Sequence, residues 1–234
     1  MSLLASYIEH AINVFPSLLR GAVITIEVTT FAIFFGLILG TIAAFGKLSR
    51  RSVFRIPSSI YVDFIRGGTP PLFVQILLFY YGIPGLIIGI TGEPFRIDPI
   101  LAGIAVCSIN SGAYNAEIVR AGIKSVDRGQ MEAARSLGMT EGQAMKEVIM
   151  PQAVRLIIPP PLGNEFIALL KDSSLLAVIS VHELSKNGML YVSKTFAAFP
   201  TYISVAFVYL ALTMGISRVL NHIERRLGVS DRSE

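Results

Sequence analysis

The sequence predicts an all-α polytopic membrane protein with five transmembrane helices, its N-terminus outside, and a charged helical stretch on the cytoplasmic side between spans three and four. Three observations predict it. Apolar residues fill 53% of the 234 positions and mean hydropathy is +0.63. Charged residues are held to 15%, against about 25% in a soluble domain. Lysine and arginine also alternate between rich and poor connecting segments, the pattern that sets orientation in a bilayer.

Each element follows in turn. Residues 1–17 lack lysine and arginine, and Leu3, Leu4, Tyr7, Ile8, Ala11, Ile12 and Phe15 recur at helical spacing. This is expected to be an external amphipathic segment lying along the membrane, without the basic leader of a cleavable signal. Residues 18–220 read as one transmembrane domain. Its first span is Leu18–Ala44, with Gly36 and Gly40 on one face for close helix packing. The basic run Lys47–Arg55 reads as cytoplasmic, followed by an amphipathic stretch, Ile56–Arg66, and a break at Gly67–Pro71. Residues 72–88 form the second span and Asp98–Val119 the third. The fourth, Ala153–Leu170, is interrupted by Pro159, Pro160 and Pro161. A mixed segment, Lys171–Phe199, precedes the fifth span at Pro200–Leu220, and residues 221–234 are a cytoplasmic tail. In this layout Arg20, Arg96, Lys171, Lys186 and Lys194 lie outside, and every other lysine and arginine lies inside.

Several function classes drop out. A net charge of +4 reads as cytoplasmic anchoring charge, not as a nucleic-acid surface. One cysteine, Cys107, and three scattered histidines (His10, His182, His222) offer neither a disulfide nor a metal site. No G-x-x-x-x-G-K-[ST] run is present, so the chain has no phosphate-cradling loop of its own.

The polar exception to this composition is Asp127–Pro151, which interleaves four acids with three bases. Met131, Ala134 and Leu137, then Met145, Val148 and Ile149, give each half an apolar face. Gly138 between them suits a helix end, since glycine reaches left-handed angles without a clash. The stretch reads as helix, glycine break, second helix, with Pro151 as a stop.

Glu132-Ala133-Ala134, three residues to Gly138, then nine to Val148-Ile149-Met150-Pro151, resembles the EAA loop of ABC importer permeases. GAVITIEVTT with Gly36 and Gly40, IRGGTPPLFVQILLFYYGIP, SGAYNAEIVRAGIKSVDRGQMEAARSLG and LGNEFIALLKDSSLLAVIS are similar to the polar amino-acid subfamily, so the likeness covers most of 18–220. The chain differs in the longer stretch Arg66–Gln75 and in its triple proline. The resemblance implies a transport subunit that is not itself an enzyme. It implies ATP and Mg²⁺ used by a partner ATPase and no cofactor bound by this chain. A second permease subunit, identical or related, an external solute-binding protein and membrane lipid complete the implied partners. Glu132, Ala133, Ala134, Leu137, Gly138 and Met139 are the implied coupling residues: the alanines make the helix small enough for a cleft, Leu137 and Met139 anchor it, and Gly138 bends it. Placement in the bacterial inner membrane and alternating access follow from the same resemblance.

The substrate path is read from polar groups at membrane depth, which are costly and often line a pathway. Ser108, Ser111 and Asn115 share one face of the third span, and Tyr114 shares another with Asn110 and Glu117. Asn164 and Glu165 follow the triple proline, where broken helices expose backbone groups to solutes. These six candidates, Ser108, Ser111, Tyr114, Asn115, Asn164 and Glu165, suit the carboxylate, ammonium and side chain of an amino acid. If Glu165 lies in the cavity, it favours cationic side chains such as arginine, lysine or histidine; glutamine is the alternative cargo. Ser108 and Ser111 are equally suited to helix packing, and Glu117 to pairing with Arg120 three residues on. An ion-coupled secondary transporter would leave the loop unexplained and shows no internal repeat. An intramembrane serine hydrolase would need a histidine beside Ser111, and none is expected there.

Overall fold

The computed structural model describes residues 3–67 and 70–227, and every regular element among them is helical. Helix α1 spans Leu3–Leu48 and α2 Ser52–Gly67. Next come α3 (Leu72–Thr91) and α4 (Pro99–Ser125). The charged stretch supplies α5 (Arg128–Ser136) and α6 (Glu141–Arg155). Then follow α7 (Pro159–Asp172), a 3₁₀ turn at Ser173–Ile179, α8 (Leu184–Thr195) and α9 (Ala198–Arg226). Of the expected break at 67–71, Gly68 and Thr69 lie outside the described residues, as do Met1, Ser2 and the tail beyond 227.

Among the described residues α1, α3 and α9 are long and apolar enough to cross a membrane, and α6 with α7 makes a fourth if that pair is one span bent by 50°. Helix α4, the expected third span, has 27 residues, about 40 Å at 1.5 Å per residue. Its length suffices, but the polar set from Ser108 to Arg120 lowers its hydropathy.

Two boundaries differ from expectation. Residues 3–17 are not a separate helix, because α1 runs unbroken through Pro16. Val14 and Leu18, two residues either side of that proline, are both fully buried in one apolar cluster with Leu184 and Val205. Pro151 does not stop the second helix of the charged stretch. Around it the backbone widens to π-type turns: the Met150 amide donates to the Met145 carbonyl, and Ile158 to Ala153 at 3.0 Å, each five residues back. The wider turn accommodates a residue that cannot donate. The expected interruption of the fourth span is present as the 50° bend between α6 and α7, and the three prolines open α7, where first-turn amides need no partner.

The helices distribute over two compact units, each with its own core. The first comprises Met1–Phe34, Pro70–Ile109 and Ile167–Ile216. Val28, Ile76, Val106, Leu176 and Ile179 form one of its clusters; Val14, Leu18, Leu184 and Val205 form another. Helix α8 is fixed there by buried polar bonds. Glu183 caps it, accepting from Ser185 N at 2.8 Å, Lys186 N at 2.6 Å and the Tyr209 hydroxyl at 3.0 Å. Asn187 donates to the Ser17 carbonyl at 3.0 Å. The second unit comprises Phe35–Thr69, Asn110–Phe166 and Ser217–Glu234. Ala44, Val62, Val119, Ile123 and Ile149 centre its core.

Candidate functional site

The second unit carries both candidate sites. The first is the α5–α6 turn, which local chemistry specifies. Asp127 caps α5, its carboxylate accepting from Gly129 N at 2.6 Å. The helix ends in a Schellman motif: Gly138 sits at φ +87°, its amide donates to Arg135 O at 3.1 Å, and Met139 N donates to Ala134 O at 3.2 Å. Helix α6 opens on a reciprocal capping box, with Gln143 N donating to Thr140 Oγ1 at 3.3 Å and Thr140 N donating to Gln143 Oε1 at 2.9 Å. Arg50 pairs with Glu141 at 2.8 Å, tying the turn to the segment between α1 and α2.

The apolar faces expected on the two halves then divide. Met131, Met145, Val148 and Ile149 pack into the unit's own core. Leu137 does not; it stands 82% exposed, at the end of α5. Glu132, Ala133 and Gly138 are exposed beside it, and Met139 is half-buried. Ala134, one of the implied coupling residues, is buried on the inward side of α5. The available surface is therefore Glu132, Ala133, Leu137 and Gly138, a small rigid knob with one apolar tip.

The second site lies along the last turns of α4. Glu117 is the centre of an ion cluster, with Lys47 Nζ at 2.8 Å and Arg120 Nε at 2.9 Å. Lys47 also reaches Asp63 at 3.0 Å. The expected Glu117–Arg120 pair is present. Lys47 was legible only as anchoring charge, because nothing local in the sequence links it to a carboxylate seventy positions away. A cavity of about 450 Å³ opens beside the cluster, lined by Arg66, Tyr114, Glu117, Ser125 and Pro161 among others. Nearby, burial pushes the Tyr61 phenol up to about 12.

The six polar candidates meet different fates. Tyr114 lines this cavity. Ser111 and Asn115 are fully buried and bonded to each other at 3.2 Å. Asn115 Oδ1 has no hydrogen-bond partner among the described residues. Asn164 is exposed and Glu165 half-buried on α7. Ser108 belongs to the first unit, where its hydroxyl donates to the Ile104 carbonyl at 2.6 Å within α4.

Residues 36–229 match the family described as "Binding-protein-dependent transport system inner membrane component". The chain is 39% identical over 219 residues to the probable amino-acid permease protein YxeN of Bacillus subtilis, covering 94% of this chain and 95% of that one. It is 34% identical to the glutamine transport system permease protein GlnP of Escherichia coli, covering 92% and 94%. A crystal structure of an amino acid ABC transporter with histidines superposes with TM-score 0.84 at 38% identity, covering 97% of this chain and 99% of that one. Permeases of this kind do no hydrolysis themselves and work with a separate ATPase and a binding protein. A helical chain with apolar spans, a capped turn exposing Leu137, and likeness along nearly its whole length belongs to the binding-protein-dependent transport system inner membrane component family, as a multi-pass amino-acid ABC importer permease of the inner membrane.

Proposed function

We propose that this permease carries polar amino acids and favours those with a cationic side chain, arginine, lysine or histidine. The observation that carries the reading is Glu165. It is a half-buried carboxylate on α7, four residues past the triple proline and beyond a 50° bend. A carboxylate at such a break complements a cation that has shed its water, and the backbone there suits solute contact. The related crystal structure with histidines supports the same class. Tyr114, Ser111, Asn115 and Asn164 are assigned as polar neighbours along the path, with Ser111 and Asn115 becoming accessible only when the unit opens. Ser108 is retained as a packing residue.

Five spans with the N-terminus outside, one permease domain that includes the whole of α1, and residues 221–234 as an inner tail complete the proposal. In that orientation α5 docks on the ATPase subunit, which uses ATP and Mg²⁺, while this chain binds no cofactor. Leu137 is the apolar tip that enters the ATPase. A second permease, identical or related, pairs with this one in the lipid bilayer. Glutamine is the competing cargo, favoured by the likeness to GlnP. Uptake by the reconstituted complex, with the binding protein present, tests the choice. Glu165→Gln is expected to lower the ratio of arginine to glutamine uptake about tenfold, corresponding to roughly 1.4 kcal/mol. An unchanged ratio removes Glu165 from specificity and leaves glutamine as the better reading.

A further inference from the structure

The carboxylate of Glu117 is already claimed by Lys47 and Arg120, but Arg66 stands apart. Its nearest guanidinium nitrogen is 3.9 Å from Glu117 Oε2, beyond hydrogen-bond length. The guanidinium carbon lies 5.2 Å from the centre of the Tyr114 ring, and the side chain is 40% exposed at the cavity. Among the described residues this guanidinium makes no direct hydrogen bond. Lys47, Arg66 and Arg120 outnumber Asp63 and Glu117 by one positive charge, so the cluster is short of one anion.

We propose that this cavity is a carboxylate-binding subsite in which Arg66 receives the α-carboxylate of an amino acid. The inference rests on the reading that the cargo is an amino acid, and it names a residue for the part common to all of them. The chemistry is specific. A guanidinium offers a planar fork of donors that matches two carboxylate oxygens. The Tyr114 ring holds it by cation–π attraction, which limits the freedom lost when a ligand arrives. A volume of about 450 Å³ falls within the range of small-molecule sites.

The same cavity also exposes Glu117, which distinguishes a zwitterion from a simple anion. Its two oxygens offer about four lone-pair directions, and Lys47 and Arg120 take three through Lys47 Nζ, Arg120 Nε and a terminal Arg120 nitrogen. The remaining direction accepts an ammonium a few ångströms from the carboxylate bound at Arg66. A phosphate or a lipid headgroup phosphate would bond Arg66 equally well but would bring no ammonium to the remaining acceptor direction of Glu117. The pair therefore selects an α-amino acid by its backbone groups, while Glu165 is assigned to its side chain.

The test uses the permease–ATPase complex in nanodiscs without the binding protein. Equilibrium binding of labelled L-arginine and L-glutamine is compared with that of L-argininamide, which keeps the ammonium and loses the carboxylate. The amide is expected to bind the wild-type complex at least tenfold more weakly than the acid. Arg66→Gln is expected to reduce acid binding to the level of the amide, and Arg66→Lys to fall between, because a point charge replaces a fork. Equal binding of acid and amide to the wild-type complex overturns the assignment without any mutant. Acid binding that disappears when phosphatidylcholine discs are replaced by phosphatidylglycerol discs also overturns it, since a headgroup then occupies Arg66. Failure of the substrate-class reading looks different: the acid–amide contrast persists while the preference of arginine over glutamine vanishes.

Discussion

Gly40 and Asn115 pack so closely that a methyl group on the glycine would stand 2.6 Å from the Asn115 Cβ. The same methyl would lie 2.7 Å from the Gly112 carbonyl oxygen and 2.9 Å from the Ala116 nitrogen. Backbone atoms cannot swing aside as a flexible side chain would. Gly40→Ala is therefore expected to force α1 and α4 apart and to destabilise the second unit by about 1–3 kcal/mol, the usual cost of overpacking. Thermal unfolding of the purified complex measures it. Gly85, with nothing within 4 Å of its would-be side chain, is the control. Gly85→Ala is expected to leave stability unchanged or raise it by roughly 0.5–1 kcal/mol. Equal behaviour of the two variants would show that close helix approach at Gly40 carries no weight.

How much of this was legible in the sequence depends on how local the chemistry is. Gly36 and Gly40 announce a close-packing face by spacing alone, and Gly138 announces a helix end because few residues tolerate its φ of +87°. The Glu117–Arg120 pair is visible at three residues' separation. Lys47 and Arg66 are not, because only the folded chain brings α1 and α2 to α4. Pro151 misleads for a different reason. The rule that proline ends a helix assumes α-type bonding, and a wider turn at Met150 and Ile158 removes the conflict. Ala134 was legible as small but not as inward-facing. Glu183 was not legible at all, since its partners Lys186 and Tyr209 combine a cap with a contact from α9.

Leu137 is expected to matter for assembly and little for folding. At 82% exposure it loses few contacts on truncation, so Leu137→Ala should change stability by less than about 0.5 kcal/mol. Its effect should appear instead as weaker co-purification of the ATPase. Gly138→Val acts differently. No neighbour obstructs the new side chain, so the cost is that of the left-handed backbone, about 1–2 kcal/mol. The turn should shift, leaving membrane insertion intact while ATP hydrolysis proceeds without matching transport. Parallel loss of hydrolysis and uptake in Gly138→Val, with normal assembly in Leu137→Ala, would argue against docking through this knob.

Glu183 predicts a pH dependence. Burial raises its carboxyl above the usual carboxylate range, even though Ser185, Lys186 and Tyr209 donate to it and favour the charged form. A folded-state value above the unfolded one contributes stability that is fully present below the unfolded value, about 4.3. That contribution is lost as pH rises through the folded value. Wild-type protein should therefore lose stability relative to Glu183→Gln as pH climbs out of the acid range. The difference in melting temperature between the two, followed across that range, is the measurement. A flat difference would mean that the donors fully offset burial.

The ion cluster offers the sharpest energetic contrast. Glu117 remains 16% exposed and Lys47 14%, so neither is fully shielded from water. Removing one member of a buried pair costs roughly 3–5 kcal/mol because the other charge is left uncompensated. Glu117→Gln is expected near the lower end, since residual exposure softens the penalty. It leaves two closely held cations, Lys47 and Arg120, facing each other. Lys47→Met should cost less, because Arg120 still neutralises Glu117. In the double variant the cost should fall well short of the sum, since the cation left stranded by the first change is gone. Chemical unfolding of the single and double variants reads this coupling, and additive costs would mean that Lys47 and Glu117 act independently despite their 2.8 Å contact.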